Sequence, residues 1–146
     1  MLAKVYSNAL LEAAGNIPNG ARLQSPQASA TKVSRVCGSE VSVDMNLEDG
    51  KVKEFAVEAK ACALGQAAAS LVARHVIGAS REELREVRDQ MLSMLKENGP
   101  PPTAERWQEL EKLEPIRGYP ARHASTMLVF EAVIACLDQL QAEQQA

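Results

Sequence analysis

The chain has 146 residues, 46% of them hydrophobic, and 16 Lys and Arg against 19 Asp and Glu give a net charge of -3. This length and composition are typical of one globular domain, residues 1–146, and exclude disordered or collagen-like chains. The acidic balance and the five aromatic residues (one Trp, two Tyr, two Phe) argue against a nucleic-acid surface or a polybasic membrane anchor.

The first half of the sequence predicts one helix and a small sheet. Apolar residues at helical spacing predict a helix over 2–14, and the Gly, Pro, Asn and Ser content of 15–31 predicts a loop. Alternating residues predict strands over 41–47 and 55–59, joined through Asp49-Gly50, a pair typical of hairpin turns. A further alternating piece, 32–36, is a possible third strand.

The second half predicts helices. The first spans 61–77 and ends at Gly78, and Ser80 begins a capping box for a charged helix to about Lys96. Thr103 is the expected cap of a helix through about Leu113, followed by a constrained loop over 114–122 and a final apolar helix. The fold class is therefore α+β, with a small antiparallel sheet of about three strands and helices on one face.

Three cysteines at wide spacings do not form a disulfide framework. We find no apolar stretch of transmembrane length and no signal-peptide core, so we expect a reducing cytoplasm in which thiols stay free.

The hairpin places two of the cysteines at one end of the sheet. If apolar positions share a face, Val43 opposes Val57 and Met45 opposes Phe55, so that facing numbers sum to about 100 with Gly50 at the centre. In that register Gly38 faces Cys62, and Cys37 is therefore a neighbour of Cys62.

The chemical settings of Cys37 and Cys62 allow two interpretations. Gly38 leaves room beside Cys37, and Cys62 begins a helix, whose N-terminal N–H groups favour thiolates. Two such sulfurs suit a soft metal, an iron–sulfur cluster or sulfur transfer. Alternatively, both are buried small apolar residues, as free cysteines often are. Two sulfurs do not complete a tetrahedral site, so other ligands must be sought.

The order of these motifs resembles the U-type iron–sulfur cluster assembly scaffolds, the group with IscU, SufU and the N-terminal domain of NifU. The matching pieces are Val36-Cys37-Gly38-Ser39, then the segment from Lys60 to Ser70 after the hairpin, then Tyr119-Pro120-Ala121-Arg122 before the last helix. The long helical insert between Cys62 and Pro120 is closer to SufU-like members.

This resemblance implies a U-type scaffold fold and a chain that accepts sulfide from a cysteine desulfurase, assembles a [2Fe–2S] or similar cluster and passes it on. The family's ligands are three cysteines and an aspartate, and SufU-like members typically hold zinc there. Cys37 and Cys62 match the first two cysteines. Ser39 stands at the aspartate position and Ser125 at the third cysteine. The family histidine falls on Ala124, with His123 one place earlier.

Two polar residues are candidates for the missing metal ligands. Ser125 is a weak, hard ligand, and a first-turn helix cap is the favoured interpretation. Imidazole is a good zinc or iron ligand, so His123 is the better candidate, against an exposed or hydrogen-bonded structural role.

The remaining candidates have simple structural interpretations. Cys136 lies on the apolar stripe of the final helix and is expected in the core, and His75 is expected to be structural. Arg122 matches an arginine of SufU-like members and could neutralise an anionic cluster, or it is a surface residue. Glu40 and Glu58 are candidate oxygen ligands by composition, although strand alternation should send Glu58 to the solvent face.

The sequence therefore predicts a cytoplasmic, non-enzymatic iron–sulfur scaffold homologue that works with a cysteine desulfurase and other assembly proteins and forms a possible homodimer. It contains no Ser/His/Asp set or phosphate loop, and no nucleic-acid or membrane partner is expected. The alternatives are a diverged docking or regulatory module without a cluster, a zinc-binding sulfur acceptor, or a Cys37–Cys62 thiol switch.

Overall fold

The structure, a computed structural model, describes residues 7–17, 22–35 and 38–145, with side chains as far as residue 141. Within these ranges the strands are β1 (Ala28–Val33), β2 (Glu40–Glu48) and β3 (Lys51–Lys60). The α-helices are α1 (Asn8–Gly15), α2 (Ala63–His75), α3 (Arg81–Lys96) and α4 (His123–Gln145), and two 3-10 segments span Glu105–Gly118 and Pro120–Arg122.

The strands form one antiparallel sheet in the order β1-β2-β3. Val43 pairs with Val57 and Met45 with Phe55, as predicted, and the register continues to Glu40 opposite Lys60. The predicted centre at Gly50 is wrong by half a position, because the register shifts between Asn46 and Leu47. A bulge of this kind inserts one residue and cannot be recognised from alternation alone.

The third strand lies earlier than predicted. β1 spans Ala28–Val33, so the expected strand at 32–36 is mostly wrong, as is the end of the expected loop at 15–31. The strand alternates Ala28 and Ala30 with Ser29 and Thr31, and these small side chains give little hydrophobic contrast.

The helical half follows the prediction in part. Ser80 accepts a hydrogen bond from the Glu83 amide at 3.1 Å, which confirms the cap of α3. The expected Thr103 cap is wrong, because the next segment is 3-10 and begins after Ala104. Trp107 has non-helical angles (φ -107, ψ 16), and Pro115 lacks an N–H, so the segment does not continue as an α-helix.

Helix α4 is the core helix against which the sheet and the helices α2 and α3 pack. The stretch Pro120–Gln141 has 22 residues and contains an 18-residue window with a mean hydropathy of 1.2, enough to cross a membrane by length and composition. The prediction that no stretch reaches this length is therefore wrong here. Most of its apolar window, 72%, is buried inside the fold, as expected of a helix that packs in a core.

The opposite face of the sheet is covered at Asp44 by the segment that precedes β1. Asp44 is 1% exposed and binds the Arg22 guanidinium at 2.6 and 2.7 Å. It also accepts hydrogen bonds from the Leu23 amide and the Ser29 hydroxyl. Arg22 is the main influence that lowers the pKa of the Asp44 carboxyl, whereas burial acts in the opposite direction.

We expect Asp44→Asn to lower the free energy of unfolding by about 2 kcal/mol at pH 7, because an amide cannot replace the charged hydrogen bonds. The folded pKa of Asp44 lies below the unfolded value of about 3.9, so the stabilisation is complete above that value. It is lost as the pH falls through the folded pKa. Urea unfolding at pH 7 and pH 3 should therefore show a smaller difference at pH 3.

Asp49→Asn in the hairpin turn is the matched control, because asparagine also tolerates its positive φ of 56°. We expect a change below about 0.5 kcal/mol at either pH. If Asp44→Asn lowers the free energy of unfolding by the same amount at pH 7 and at pH 3, this account is contradicted.

Candidate functional site

Cys62 connects the end of β3 to the start of α2. It is the N-cap residue of α2, with extended backbone angles (φ -65, ψ 171), and its carbonyl accepts the first helical hydrogen bond from Gln66 at 3.0 Å. No side chain caps this helix end, because sulfur is a poor acceptor for amides. The prediction that Cys62 begins a helix is confirmed, and its half-buried thiol lies at a helix end rich in N–H groups.

Ser125 lies next to Cys62. The Cys62 thiol donates to the Ser125 hydroxyl across 3.6 Å, and that hydroxyl donates to the Arg122 carbonyl at 3.2 Å. Ser125 is 4% exposed in the first turn of α4. It does not act as an N-cap, because its oxygen donates to a preceding carbonyl instead of accepting from an amide. Ser125, where the resemblance implies a third cysteine, is thus in contact with Cys62.

This contact depends on a close approach between the starts of α2 and α4 at Gly65. A Cβ at Gly65 would lie 2.8 Å from the Cβ of Ala61 and 3.3 Å from the Ser125 carbonyl oxygen. Only glycine permits this separation without movement of the backbone. Gly65 is not among the residues predicted from the sequence to shape the site, although its spacing of four from Ala61 could have indicated a close contact.

Cys37 lies outside the described residues, and its predicted role is untested. Gly38, which follows it, has a φ of +73° and donates its amide to the Ser34 carbonyl at 2.8 Å. Glu40, the first residue of β2, pairs with Lys60, the last residue of β3. Gly38, just before β2, and Cys62, just after β3, therefore lie at the same end of the sheet. Ser39, at the aspartate position, is 5% exposed. We call this end of the sheet, with Gly38, Ser39, Cys62 and Ser125, the Cys62 rim.

The Nε2 atom of His123 is hydrogen-bonded to backbone carbonyls and is not free to bind a metal. That nitrogen lies 3.1 Å from the Ile116 carbonyl and 3.2 Å from the Arg117 carbonyl, and the ring is 7% exposed. Carbonyls only accept, so Nε2 carries the proton and Nδ1 is the remaining lone pair. These contacts correspond to the hydrogen-bonded structural role that the sequence left open, and no described polar contact joins His123 to Cys62.

Cys136 is a core residue, as predicted. It is 0% exposed, and its thiol donates to the Val43 carbonyl at 3.4 Å. Burial, with a smaller contribution from the charge of Asp44, raises the pKa of the Cys136 thiol to about 12. A thiol with this pKa stays protonated and does not serve as the third sulfur.

The remaining candidates have no described hydrogen bond to the Cys62 thiol. His75 binds Glu109, and Lys112 together with His75 lowers the pKa of that carboxyl to about 2, consistent with the structural role predicted for His75. Glu58 lies on the face opposite Val57, and its half-exposed side chain is near Lys60. Arg122 accepts hydrogen bonds at its carbonyl from Ser125 and Thr126. Among the described residues, no three His, Cys, Asp or Glu side chains form a metal-binding group.

The family described as the NifU-like N terminal domain matches residues 5–124, which is more than half of the chain. The chain belongs to this family. The Thermotoga maritima protein named iron-sulfur cluster assembly scaffold protein IscU is 26% identical over 141 residues, covering 93% of this chain and 94% of that protein.

Solved structures share the fold of this NifU-like chain. The N-terminal NifU-like protein of Brucella abortus is 49% identical, with a TM-score of 0.94 and 97% of each chain covered. A SUF-system scaffold structure from Fervidobacterium islandicum has a TM-score of 0.84 at 16% identity, covering 92% of this chain and 98% of that chain. The predicted family and the α+β fold are both confirmed.

We expect Gly65→Ala to destabilise this NifU-like domain by about 1–3 kcal/mol, although alanine is the better helix former, because its methyl group would overlap the Ala61 Cβ and crowd the Ser125 carbonyl of α4. Thermal unfolding measures the change. Gly15→Ala is the control, since a Cβ at Gly15 meets nothing within 4 Å. Equal effects of the two substitutions would refute the close contact at Gly65.

Alkylation should distinguish the two described cysteines. At pH 8 iodoacetamide is expected to modify Cys62 in the native protein and to spare Cys136, whose thiolate fraction is on the order of 10⁻⁴. Peptide mass spectrometry identifies the labelled thiols, and labelling in urea is the control in which both react. Native labelling of Cys136 at the rate of Cys62 would contradict its placement in the core.

Proposed function

We propose that this NifU-like chain is a scaffold in iron–sulfur cluster biogenesis, with Cys62 and Cys37 as its working thiols. The observation that supports this best is the position of Cys62. Within a chain of this family, its half-buried sulfur lies at an uncapped helix N-terminus and contacts the residue at the third ligand position. A structural cysteine needs no such setting, as fully buried Cys136 illustrates.

The chemistry of the Cys62 rim suits sulfur as substrate. The proposed first step transfers the outer sulfur of a persulfide on a cysteine desulfurase to the Cys62 thiol. The sulfur–sulfur bond of the desulfurase breaks, a new one forms on Cys62, and the desulfurase cysteine leaves as a thiol, so no external oxidant is required. Cys37 is the alternative acceptor. The N–H groups at the start of α2 favour the anionic sulfur on Cys62.

Iron is the second substrate, held by the thiolates of Cys37 and Cys62. His123, Ser125, a second subunit or a partner protein would supply the remaining ligands. His123 could offer Nδ1 while Nε2 keeps its carbonyl contacts, and Ser125 would first have to release the Arg122 carbonyl. A site completed by outside ligands holds a cluster weakly, which favours transfer over storage. We propose a transient cluster, of the [2Fe–2S] type, and zinc as the alternative occupant.

This role implies no catalytic turnover by the chain itself. Its partners would be a cysteine desulfurase and the other proteins of cluster assembly, in the cytoplasm. The Thermotoga and Fervidobacterium relatives are both named as assembly scaffolds, which is consistent with such partners.

A second candidate function is a docking or regulatory module of the assembly machinery that holds no cluster. It is supported by the candidate ligands, because the Ser125 hydroxyl at the Cys62 rim and the His123 Nε2 elsewhere are both occupied by backbone carbonyls. Serine also replaces both the aspartate and the third cysteine of the family pattern at positions 39 and 125.

Anaerobic reconstitution with iron and sulfide, followed by assay of iron, zinc and sulfide per chain, tests the scaffold. We expect bound iron and sulfide in the wild type, their loss in Cys62→Ala, and no change in the control Cys136→Ala, because Cys136 lies in the core. Zinc alone would indicate a zinc-binding sulfur acceptor. The absence of any metal would favour the docking module.

The double substitution Ser39→Asp and Ser125→Cys separates the two candidates further. If the chain is a scaffold, the wild-type protein already binds iron without these substitutions. Binding that appears only in the double variant would show that the geometry of the Cys62 rim is intact while the native residues have lost the function.

A further inference from the structure

The outer edge of β1 is protected at one end only. The side chain of Gln139, on α4, accepts from the Ser29 amide at 3.3 Å and donates to the Ser29 carbonyl at 2.7 Å. The backbone groups of Ser29 therefore face away from β2. Backbone direction alternates along an antiparallel pair, so the N–H and C=O groups of Thr31 and Val33 face outward as well.

The pairing of β1 with β2 supports this direction. The Ser34 amide donates inward to the Ser39 carbonyl at 2.8 Å, which continues the register that pairs Lys32 with Val41. No hydrogen bond within the described ranges satisfies the outward backbone groups of Thr31 and Val33. The edge is thus covered at Ser29 and open two and four residues later.

A groove of about 500 Å³ runs beside this open edge. Residues 32–35 form one side, and α3 and α4 form the other. Leu92, Met127 and Leu128 supply apolar surface. A cleft of this size can receive the side chains of an extended peptide.

The groove is positively charged although the chain as a whole is acidic. Lys32, Arg35 and Lys96 line it, and none of them forms an ion pair with another described residue. The acidic residue in the lining is Glu131, which lies 3.5 Å from Arg88. Charge complementarity therefore favours an acidic occupant.

We propose that this groove binds an extended acidic peptide segment of a partner protein, which adds as a strand to the edge of β1 at Thr31 and Val33. A single edge lysine is a common device against strand addition. Here three cations surround open backbone groups and an apolar floor. In strand addition, main-chain hydrogen bonds give affinity and alternate side chains give specificity.

Ser34 lines the groove and donates its amide to the Ser39 carbonyl of the Cys62 rim, so a bound segment would place its protein beside that rim. Binding requires neither Cys62 nor a metal. The scaffold function and this docking site can therefore fail separately.

Fluorescence anisotropy with a labelled peptide of alternating glutamate and valine tests the site at low salt. We expect saturable binding by the wild type and by Cys62→Ala. The same peptide N-methylated at every residue keeps the charge but lacks the amide N–H groups that strand pairing needs on either edge, and it should bind at least about tenfold more weakly. Lysine in place of glutamate should abolish binding.

Substitutions in the protein test both halves of the proposal. Lys32→Glu with Lys96→Glu should weaken binding about tenfold, and Lys51→Glu, in the distant hairpin turn, by less than about twofold. Val33→Pro removes an outward N–H and leaves the bonds to β2, whereas Val33→Thr keeps it, so only the proline variant should lose binding.

Three outcomes would overturn the proposal. The first is no saturable binding of the acidic peptide, and the second is equal affinity for the N-methylated or the lysine peptide. The third is a concentration-dependent dimer in sedimentation that Val33→Pro abolishes and the peptide does not disturb, which would assign the edge to a second copy of this chain.

Discussion

The Cys62 rim depends on the close contact between the first turns of α2 and α4. Gly65 lets the Ser125 backbone approach α2, and this approach brings the Ser125 hydroxyl to the Cys62 thiol. Both helices follow segments that fix their entry, the paired end of β3 before α2 and the 3-10 turn Pro120–Arg122 before α4. Cys62 and Ser125, which are 63 positions apart in the sequence, are thereby held together by backbone packing. The only described bond between their side chains is the weak hydrogen bond of the thiol.

The central strand β2 connects this rim to the rest of the molecule. Val41, Val43 and Met45 are fully buried on the helix face, and Asp44 is buried on the other face by Arg22. Cys136 donates to the Val43 carbonyl, so α4 is tied to the same strand. A strand buried on both faces tolerates little movement, which keeps the Gly38 end of the sheet in register with Cys62.

The two proposed activities use different edges of one scaffold. The Cys62 rim lies at the end of the sheet, where chain connections bring sulfur and a helix N-terminus together. The peptide groove lies along β1, where the sheet stops and cations replace a neighbouring strand. A partner bound along β1 would lie next to Ser34, whose amide donates to the Ser39 carbonyl of the Cys62 rim.

The sequence by itself determined the pairing of Val43 with Val57 and of Met45 with Phe55, the cap at Ser80, the helix start at Cys62 and the family, because these depend on local alternation, capping chemistry and motif order. The tertiary structure decided what depends on distant contacts. The close approach at Gly65 joins two segments that are far apart in the chain. The carbonyls that bind His123 belong to a 3-10 segment that the sequence did not predict. The position of β1 was likewise decided by pairing with β2, because its alternation of alanine with serine and threonine is too weak to define a strand alone.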